Sequence, residues 1–227
     1  MSKSNIQIVE YLTRDIKLKA DMESETLILN ILKRDSDFPI LSEESGWVNI
    51  SNSPMEKEYL WVVDPLDGSM NFSRGIDMCC VSIALWENAN PVLGVIYDFN
   101  REELFTGLIN HGAWLNDVQI HASKISKESD AVFATGFPVN MDFSQKSLIS
   151  MTQKFSKYKK IRMIGSAALS LAYVACGRFD IYHEKNIKVW DVAAGLALVV
   201  ASGGKIKCRN FPELKMVYAS GFALSIP

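Results

Sequence analysis

The segment Trp61-Val62-Val63-Asp64-Pro65-Leu66-Asp67-Gly68-Ser69 constrains this chain more than any other. An apolar strand candidate, Leu60 to Val63, runs directly into two carboxylates three residues apart. Pro65 fixes one φ and removes an N–H, which forces a turn. Gly68 lets the backbone approach closely whatever occupies that turn. Asp, Pro, Gly and Ser are common turn residues, so a surface turn with an Asx cap is the plain reading of these residues alone. Two acids beside free backbone amides and a hydroxyl also suit a hard cation holding a phosphate, because carboxylates take the cation and turn amides take anionic oxygens.

The rest of the chain narrows the choice. Its 227 residues allow one large domain or two small ones with a sizeable core. Hydrophobic content of 48% with net charge −2 argues for a soluble globular protein and against a nucleic-acid binder, a charged tail or a disordered segment. No apolar run reaches the length of a membrane span, and the start at Met1 leads into polar sequence without a signal-peptide apolar region. Cys79, Cys80, Cys176 and Cys208 lack zinc spacing and read as reduced packing residues, which implies a cytoplasmic protein.

From about Asp21 to Lys33, Met22, Leu27, Ile28, Ile31 and Leu32 recur at helical spacing, and Asp21 and Glu25 fall one turn apart on another face. Glu25 reads there as ordinary solvated charge. A short strand at Ile40-Leu41 ends in Glu43, Glu44 and Gly46, a second strand end carrying acid, and residues 49–58 read as a loop. Met78 to Leu85, Val92 to Tyr97 and Glu103 to Thr106 form an antiparallel meander, continued by Gly112 to Val118. The polar run at 122–130 marks a boundary between an α+β half, residues 1–128, and an α/β half, residues 129–227. In the second half Ala131–Thr135, Lys160–Met163 and Phe179–Tyr182 read as strands, and 144–157, Gly165–Ala175 and Asp191–Ser202 as helices. Ser166 is a candidate N-cap, and Gly203-Gly204 a stop.

Asp191 stands at the start of a helix otherwise built from Ala, Gly, Leu and Val, where an N-cap role alone would account for it. Yet Glu43, Asp64, Asp67 and Asp191 all sit at strand or helix ends, where rigid scaffolds build sites. Four converging acids repel unless cations lie between them, and oxygen-only ligation without His or Cys points to Mg²⁺ or Mn²⁺.

Asp64-Pro65-Leu66-Asp67-Gly68-Ser69-Met70-Asn71-Phe72, followed far downstream by Trp190-Asp191-Val192-Ala193-Ala194-Gly195, resembles the inositol monophosphatase family of Mg²⁺-dependent phosphomonoesterases. Leu41-Ser42-Glu43-Glu44-Ser45, Gly165-Ser166-Ala167-Ala168 and the stretch from Tyr182-His183-Glu184 to Trp190 fall at family spacing, so the likeness runs from about Asp21 to Gly204. It implies a layered αβαβα sandwich, with an antiparallel-sheet N-terminal half and an α/β C-terminal half. It implies that Glu43, Asp64 and the Leu66 carbonyl hold a first metal and Asp64, Asp67 and Asp191 a second, with two or three Mg²⁺ in all. Ser69 and Glu43 would activate water, with Asp21 orienting the Ser69 hydroxyl. The Gly68 and Ser69 amides would hold phosphate, and the Ala167 backbone and Glu184 would meet substrate hydroxyls beside Asp67 and Asp191.

Two departures stand out. Leu18 replaces the family's usual Thr before the helix acid, and the segment Ile16 to Asp21 is shortened where the family carries a mobile loop with a metal-assisting Lys; Lys17 and Lys19 are the substitutes at hand. The chain also ends soon after Phe211, which leaves the closing elements of the α/β half open. His111 and His121 read as surface residues, as do Arg74 and Arg162. His183, beside Glu184, reads either as a pocket-lining residue or as a surface one, and Arg178 either as reaching a second phosphate or as capping the helix above it, while Trp61 and Trp190 are expected to pack beneath their acids. The expected protein is a cytoplasmic, Mg²⁺-dependent phosphatase, at least a homodimer, acting on inositol 1-phosphate or a similar small sugar or polyol phosphate, with no nucleic acid or membrane partner. The alternatives are fructose 1,6-bisphosphate as substrate, then a 3′-phosphonucleotide, then a phosphate- or metal-binding module without catalysis.

Overall fold

The computed structural model describes residues 7–11, 16–49, 59–137, 141–209 and 216–221. Its elements are built around a strand longer than the apolar run of Leu60 to Val63 demands. Strand β5 (Tyr59–Asp67) carries both acids of the motif within it and shifts register between Asp64 and Asp67, where Pro65 interrupts the ladder. β3 (Ile40–Ser42) pairs with it in parallel, and β4 (Gly46–Val48) pairs antiparallel with β3. On the other side β6 (Cys80–Glu87), β7 (Asn90–Asp98), β8 (Glu103–Leu108), β9 (Gly112–Leu115) and β10 (Val118–Ile120) continue the sheet as the expected antiparallel meander. A separate hairpin of β1 (Ile8–Tyr11) and β2 (Ile16–Leu18) precedes it.

The second sheet has the order β12-β11-β13-β15-β14. β11 (Val132–Ala134), β12 (Lys160–Arg162) and β13 (Ile181–Lys185) are parallel, as strand-helix-strand alternation predicts. β15 (Met216–Ser220) then runs antiparallel between β13 and β14 (Lys205–Arg209), so among the described residues two further strands follow α5. β13 begins two residues later than the predicted Phe179–Tyr182 strand, because Phe179 turns inward onto Tyr173 and Asp180 is spent on the Val132 amide and the Ser123 hydroxyl.

Helices α4 (Ala167–Ala175) and α5 (Val189–Ala201) are apolar on nearly every face and lie between the two sheets, where such helices belong. Alternation in β6 turns Cys80, Ser82, Ala84 and Trp86 toward them. Contact is backbone-close: a Cβ on Gly94 would stand 2.2 Å from the Ala194 carbonyl oxygen, and one on Gly195 would stand 2.3 Å from Leu171 Cβ. Outside the second sheet, α3 (Gln145–Phe155) packs Phe155 on Phe133, which also stacks on Tyr158. Outside the first sheet lies α1 (Lys19–Asp35), and α2 (Ser69–Arg74) follows the motif strand. The result is the layered αβαβα arrangement of mixed sheets and helices.

The face that α1 buries differs from the one its apolar spacing predicts. Met22, Leu27 and Ile31 are exposed, whereas Asp21, Glu25 and Leu29 are buried, with Ile28 and Leu32 partly covered. Glu25 is therefore not solvated charge. Its carboxylate accepts from Ser42 Oγ at 2.5 Å, Ser45 N at 3.0 Å and Ser45 Oγ at 2.6 Å. Trp61 packs on α1 and donates to Ser36 Oγ at 2.9 Å instead of lying beneath Asp64. All but Asn49 of the loop expected at 49–58 falls outside the described residues, as do the Lys17 side chain, Pro138 and the stretch from Phe211 to Lys215.

Candidate active site

Four separate parts of the fold deliver carboxylates to one cleft of about 310 Å³, Glu184 coming from β13. Glu43 leaves the end of β3 with its amide bonded to the Val63 carbonyl at 3.1 Å. Its loop is held from behind by the Glu25 bonds to Ser42 and Ser45. Asp64 and Asp67 come from the interrupted end of β5, and Asp191 from the first turn of α5. Asp191 is the third residue of that helix and not its cap, since Lys188 caps it and donates its amide to Asp191 Oδ2 at 3.3 Å.

Each of the three aspartates has one oxygen fixed by the protein. Asp64 Oδ1 accepts from the Leu66 amide at 3.0 Å. Asp67 Oδ2 accepts from Ser166 Oγ at 2.5 Å and from the Ala168 amide at 2.8 Å. Ser166 is also the N-cap of α4, accepting from the Leu169 amide, so the predicted cap carries a second duty in the cleft. The Ala168 amide is available for this because the first amides of a helix have no partner within it.

The acids titrate abnormally high. Asp64, almost fully buried, is driven well above the carboxylate range by burial first and then by repulsion from Glu43, Asp67 and Asp191. Burial lifts Asp67 to about 6 against the bonds from Ser166 and Ala168. Asp191 is raised by burial, then by Asp67 and Glu43. Glu184, at the far end of the cleft, is raised by burial while the Tyr182 hydroxyl, donating at 2.8 Å, pulls it back.

This donor set fits hard divalent ions. It is all oxygen, mutually repelling and anchored at one oxygen per aspartate. The Ser82 hydroxyl, opposite Asp64 in the ladder, is buried without a partner among the described residues. No three acidic, imidazole or thiol groups among the described residues form a ready-made coordination shell. The carboxylates crowd one another but leave the remaining positions to other oxygen donors.

Beside the acids, Gly68 at φ +90° opens α2, where a Cβ would strike the Met78 carbonyl at 2.7 Å. The Ser69 hydroxyl lies 3.1 Å from Asp21 Oδ1 and 2.9 Å from the Leu66 carbonyl. Asp21 is buried behind Ser69 at the third position of α1 and accepts the Leu18 amide at 2.6 Å. Of the residues the sequence singled out, Glu43, Asp64, Leu66, Asp67, Gly68, Ser69, Ala167, Glu184 and Asp191 line the cleft. The Ala167 amide is directed at Asp67.

Other candidate residues lie away from the cleft. Arg178 is bound bidentately by Glu103 at 2.6 Å and 2.6 Å, over the Tyr173 ring, and lines neither the cleft nor a phosphate site. Lys19 pairs with Glu23 in solvent, and Leu18, at the departure from family pattern, is a fully buried core residue against Leu66 and Cys79. His183 lines a neighbouring cavity. Sequence reasoning missed Thr135, Gly136 and Tyr182 as lining residues. The alternation that buries Glu184 was the available signal for Tyr182, two residues earlier on the same face.

Comparison with known proteins shows both a family and a fold. Residues 3–220 match the inositol monophosphatase family. Nus factor SuhB of Xylella fastidiosa is 40% identical over 203 residues, covering 88% of this chain and 72% of that protein. The inositol-1-monophosphatase of Synechocystis is 37% identical over 207 residues, covering 89% and 70%. Among solved structures, the extragenic suppressor protein SuhB from Bartonella henselae superposes with a TM-score of 0.87 at 34% identity, covering 97% of this chain and 86% of that one. The inositol monophosphatase from Anabaena gives 0.80 at 37%, covering 90% and 82%. By sequence and by fold, the chain is a phosphatase belonging to the inositol monophosphatase family.

Proposed function

We propose that this protein hydrolyses inositol 1-phosphate, or a similar small sugar or polyol monophosphate, with Mg²⁺ held by Glu43, Asp64, Asp67, Asp191 and the Leu66 carbonyl. The observation that carries the reading is the crowding of buried carboxylates, which raise one another's pKa in a cleft with no cationic side chain among its lining residues. Bound Mg²⁺ supplies charge neutralisation at the phosphate and a more acidic water. Asp21 then turns the Ser69 hydroxyl, and Ser69 with Glu43 orients the attacking water and takes its proton. The Gly68 and Ser69 amides, at the start of α2, hold phosphate oxygens. Glu184, with the Tyr182 hydroxyl setting its orientation, accepts from hydroxyls of the leaving group.

A homodimer is supported by exposed apolar side chains on the outer side of the large sheet, including Leu27 and Ile31 of α1 and Leu104 of β8. Fructose 1,6-bisphosphate is the second substrate reading. Some relatives bear the name Nus factor, and the cleft described here speaks to phosphate ester chemistry. The test is phosphate release from inositol 1-phosphate with Mg²⁺ and with EDTA, for wild type and Asp64→Asn. Release that needs Mg²⁺ and is lost in Asp64→Asn is expected; full turnover in the variant would defeat the mechanism.

A further inference from the structure

The motif also holds Asn71, the third residue of α2, which is half-buried and does not line the cleft. Its side-chain Nδ2 donates to the Met78 carbonyl at 2.8 Å, the Ile164 carbonyl at 2.8 Å and the Gly165 carbonyl at 3.2 Å. Two N–H groups thus serve three carbonyls, and Asn is the shortest side chain that carries both on one atom. Each acceptor leads to the cleft. The Met78 carbonyl is the one that would strike a Cβ on Gly68, so it backs the turn where Gly68 and Ser69 line the cleft. Ile164, 93 residues beyond Asn71, and Gly165 lead into Ser166 and Ala168, whose hydroxyl and amide hold Asp67 Oδ2 at 2.5 Å and 2.8 Å. The seat of the amide is made by glycine: Gly165 has φ +73°, and a Cβ there would stand 2.8 Å from Asn71 Nδ2.

We infer that Asn71 is a positioning residue, whose side-chain amide sets the register between the motif turn and the start of α4, and so the spacing of Asp67, Ser166 and Ala167 in the cleft. This role rests on the phosphatase reading above, in which Asp67 holds Mg²⁺. Each helix start is fixed within itself, by the Phe72 amide on the Gly68 carbonyl at 3.0 Å and by the Ser170 amide on the Ser166 carbonyl at 3.2 Å. Loss of the Asn71 amide therefore spares both turns and loosens their mutual placement. The Asp67 carboxylate also ties the two, yet it is the group proposed to hold metal, so Asn71 relieves it of fixing the joint alone.

Hydrogen exchange and steady-state kinetics on inositol 1-phosphate, for wild type and Asn71→Ala, test the proposal. The Ala168 amide, bonded to Asp67 across the joint, is expected to exchange about tenfold faster in the variant, with a smaller change in the ladder between β6 and β7. KM and the Mg²⁺ concentration giving half-maximal activity are each expected to rise about tenfold, with kcat at saturation within about twofold of wild type. A residue that only stabilises the fold would lower the active fraction, leave KM unchanged and speed both sets of amides equally. That pattern, or wild-type exchange and kinetics in the variant, would overturn the proposal. Gly165→Ala, which crowds the amide from the opposite side, gives the same readouts should Asn71→Ala fail to fold. Should wild type release no phosphate, the phosphatase reading fails and the exchange rates alone decide the joint. Selective acceleration at Ala168 supports it; equal acceleration, or none, overturns it.

Discussion

The Ser69 hydroxyl and the Asp21 carboxylate, 48 residues apart in sequence, stand 3.1 Å from each other at the edge of the cleft. One of them lines the cleft and the other is buried behind it, so the pair joins helix α1 to the motif turn.

Replacing Asp21 by Asn removes the charge that orients the hydroxyl while keeping its shape. The expected loss is about 10²-fold in kcat with KM little changed, the scale of misplaced general-base assistance. Ser69→Ala should lose a similar factor, and the double variant little more, because the two act as one unit. Phosphate-release kinetics on the three variants check this.

Glu25→Ala should destabilise the fold by about 2–3 kcal/mol, because it strands the buried Ser42 hydroxyl and frees the Ser45 amide and hydroxyl. The same change loosens the loop that carries Glu43, so the Mg²⁺ concentration giving half-maximal activity should rise. Urea unfolding and a Mg²⁺ titration read the two effects separately.

His183 gives a pH dependence with a definite sign. Burial, then the nearby Lys154, lower its pKa from 6.5 to about 4. Above 6.5 the ring is neutral in folded and unfolded chains alike, and its contribution is fully present. As pH falls from 6.5 toward about 4 the unfolded chain binds the proton first, so stability declines across that window, by on the order of 1 kcal/mol for this partly exposed ring. In His183→Gln the decline of melting temperature over that interval should be shallower.

Arg178→Ala should leave the ratio of rates on mono- and bisphosphate unchanged, since its guanidinium is committed to Glu103. The loss of stability should stay within about 1 kcal/mol, because Arg178 is 40% exposed and solvent screens the pair. A selective loss on the bisphosphate would contradict the placement of Arg178 outside the site.

Gly195→Ala should cost about 1–3 kcal/mol, because its Cβ would stand 2.3 Å from Leu171 Cβ between two packed helices. Thermal unfolding measures it.

The acids of the cleft were legible because their signal is local: a strand running into Asp-Pro-Leu-Asp-Gly-Ser, and a helix start at Trp190-Asp191. Strand existence in the meander was equally local, read from alternation and turn residues. What escaped depends on distant partners. Glu25 looks solvated on a helical wheel, and only Ser42 and Ser45, 17 and 20 residues away, make its burial favourable. The apolar spacing of α1 pointed to Met22, Leu27 and Ile31, yet the sheet it lies on receives Leu29. Lys154 and Lys185 lie on different elements, and nothing in either neighbourhood announces that they share a cavity.

Backbone contact between Gly94 and Ala194 gives Asp191 its reference point. Helix α5 seats directly on β7 at that contact with no side chain interposed, so the position of this carboxylate is inherited from a hard stop instead of averaged over a compliant core. Any residue larger than glycine at position 94 would act as a shim, displacing Asp191 while touching nothing in the cleft. A remote substitution there would read, in kinetics, as a fault of the cleft itself.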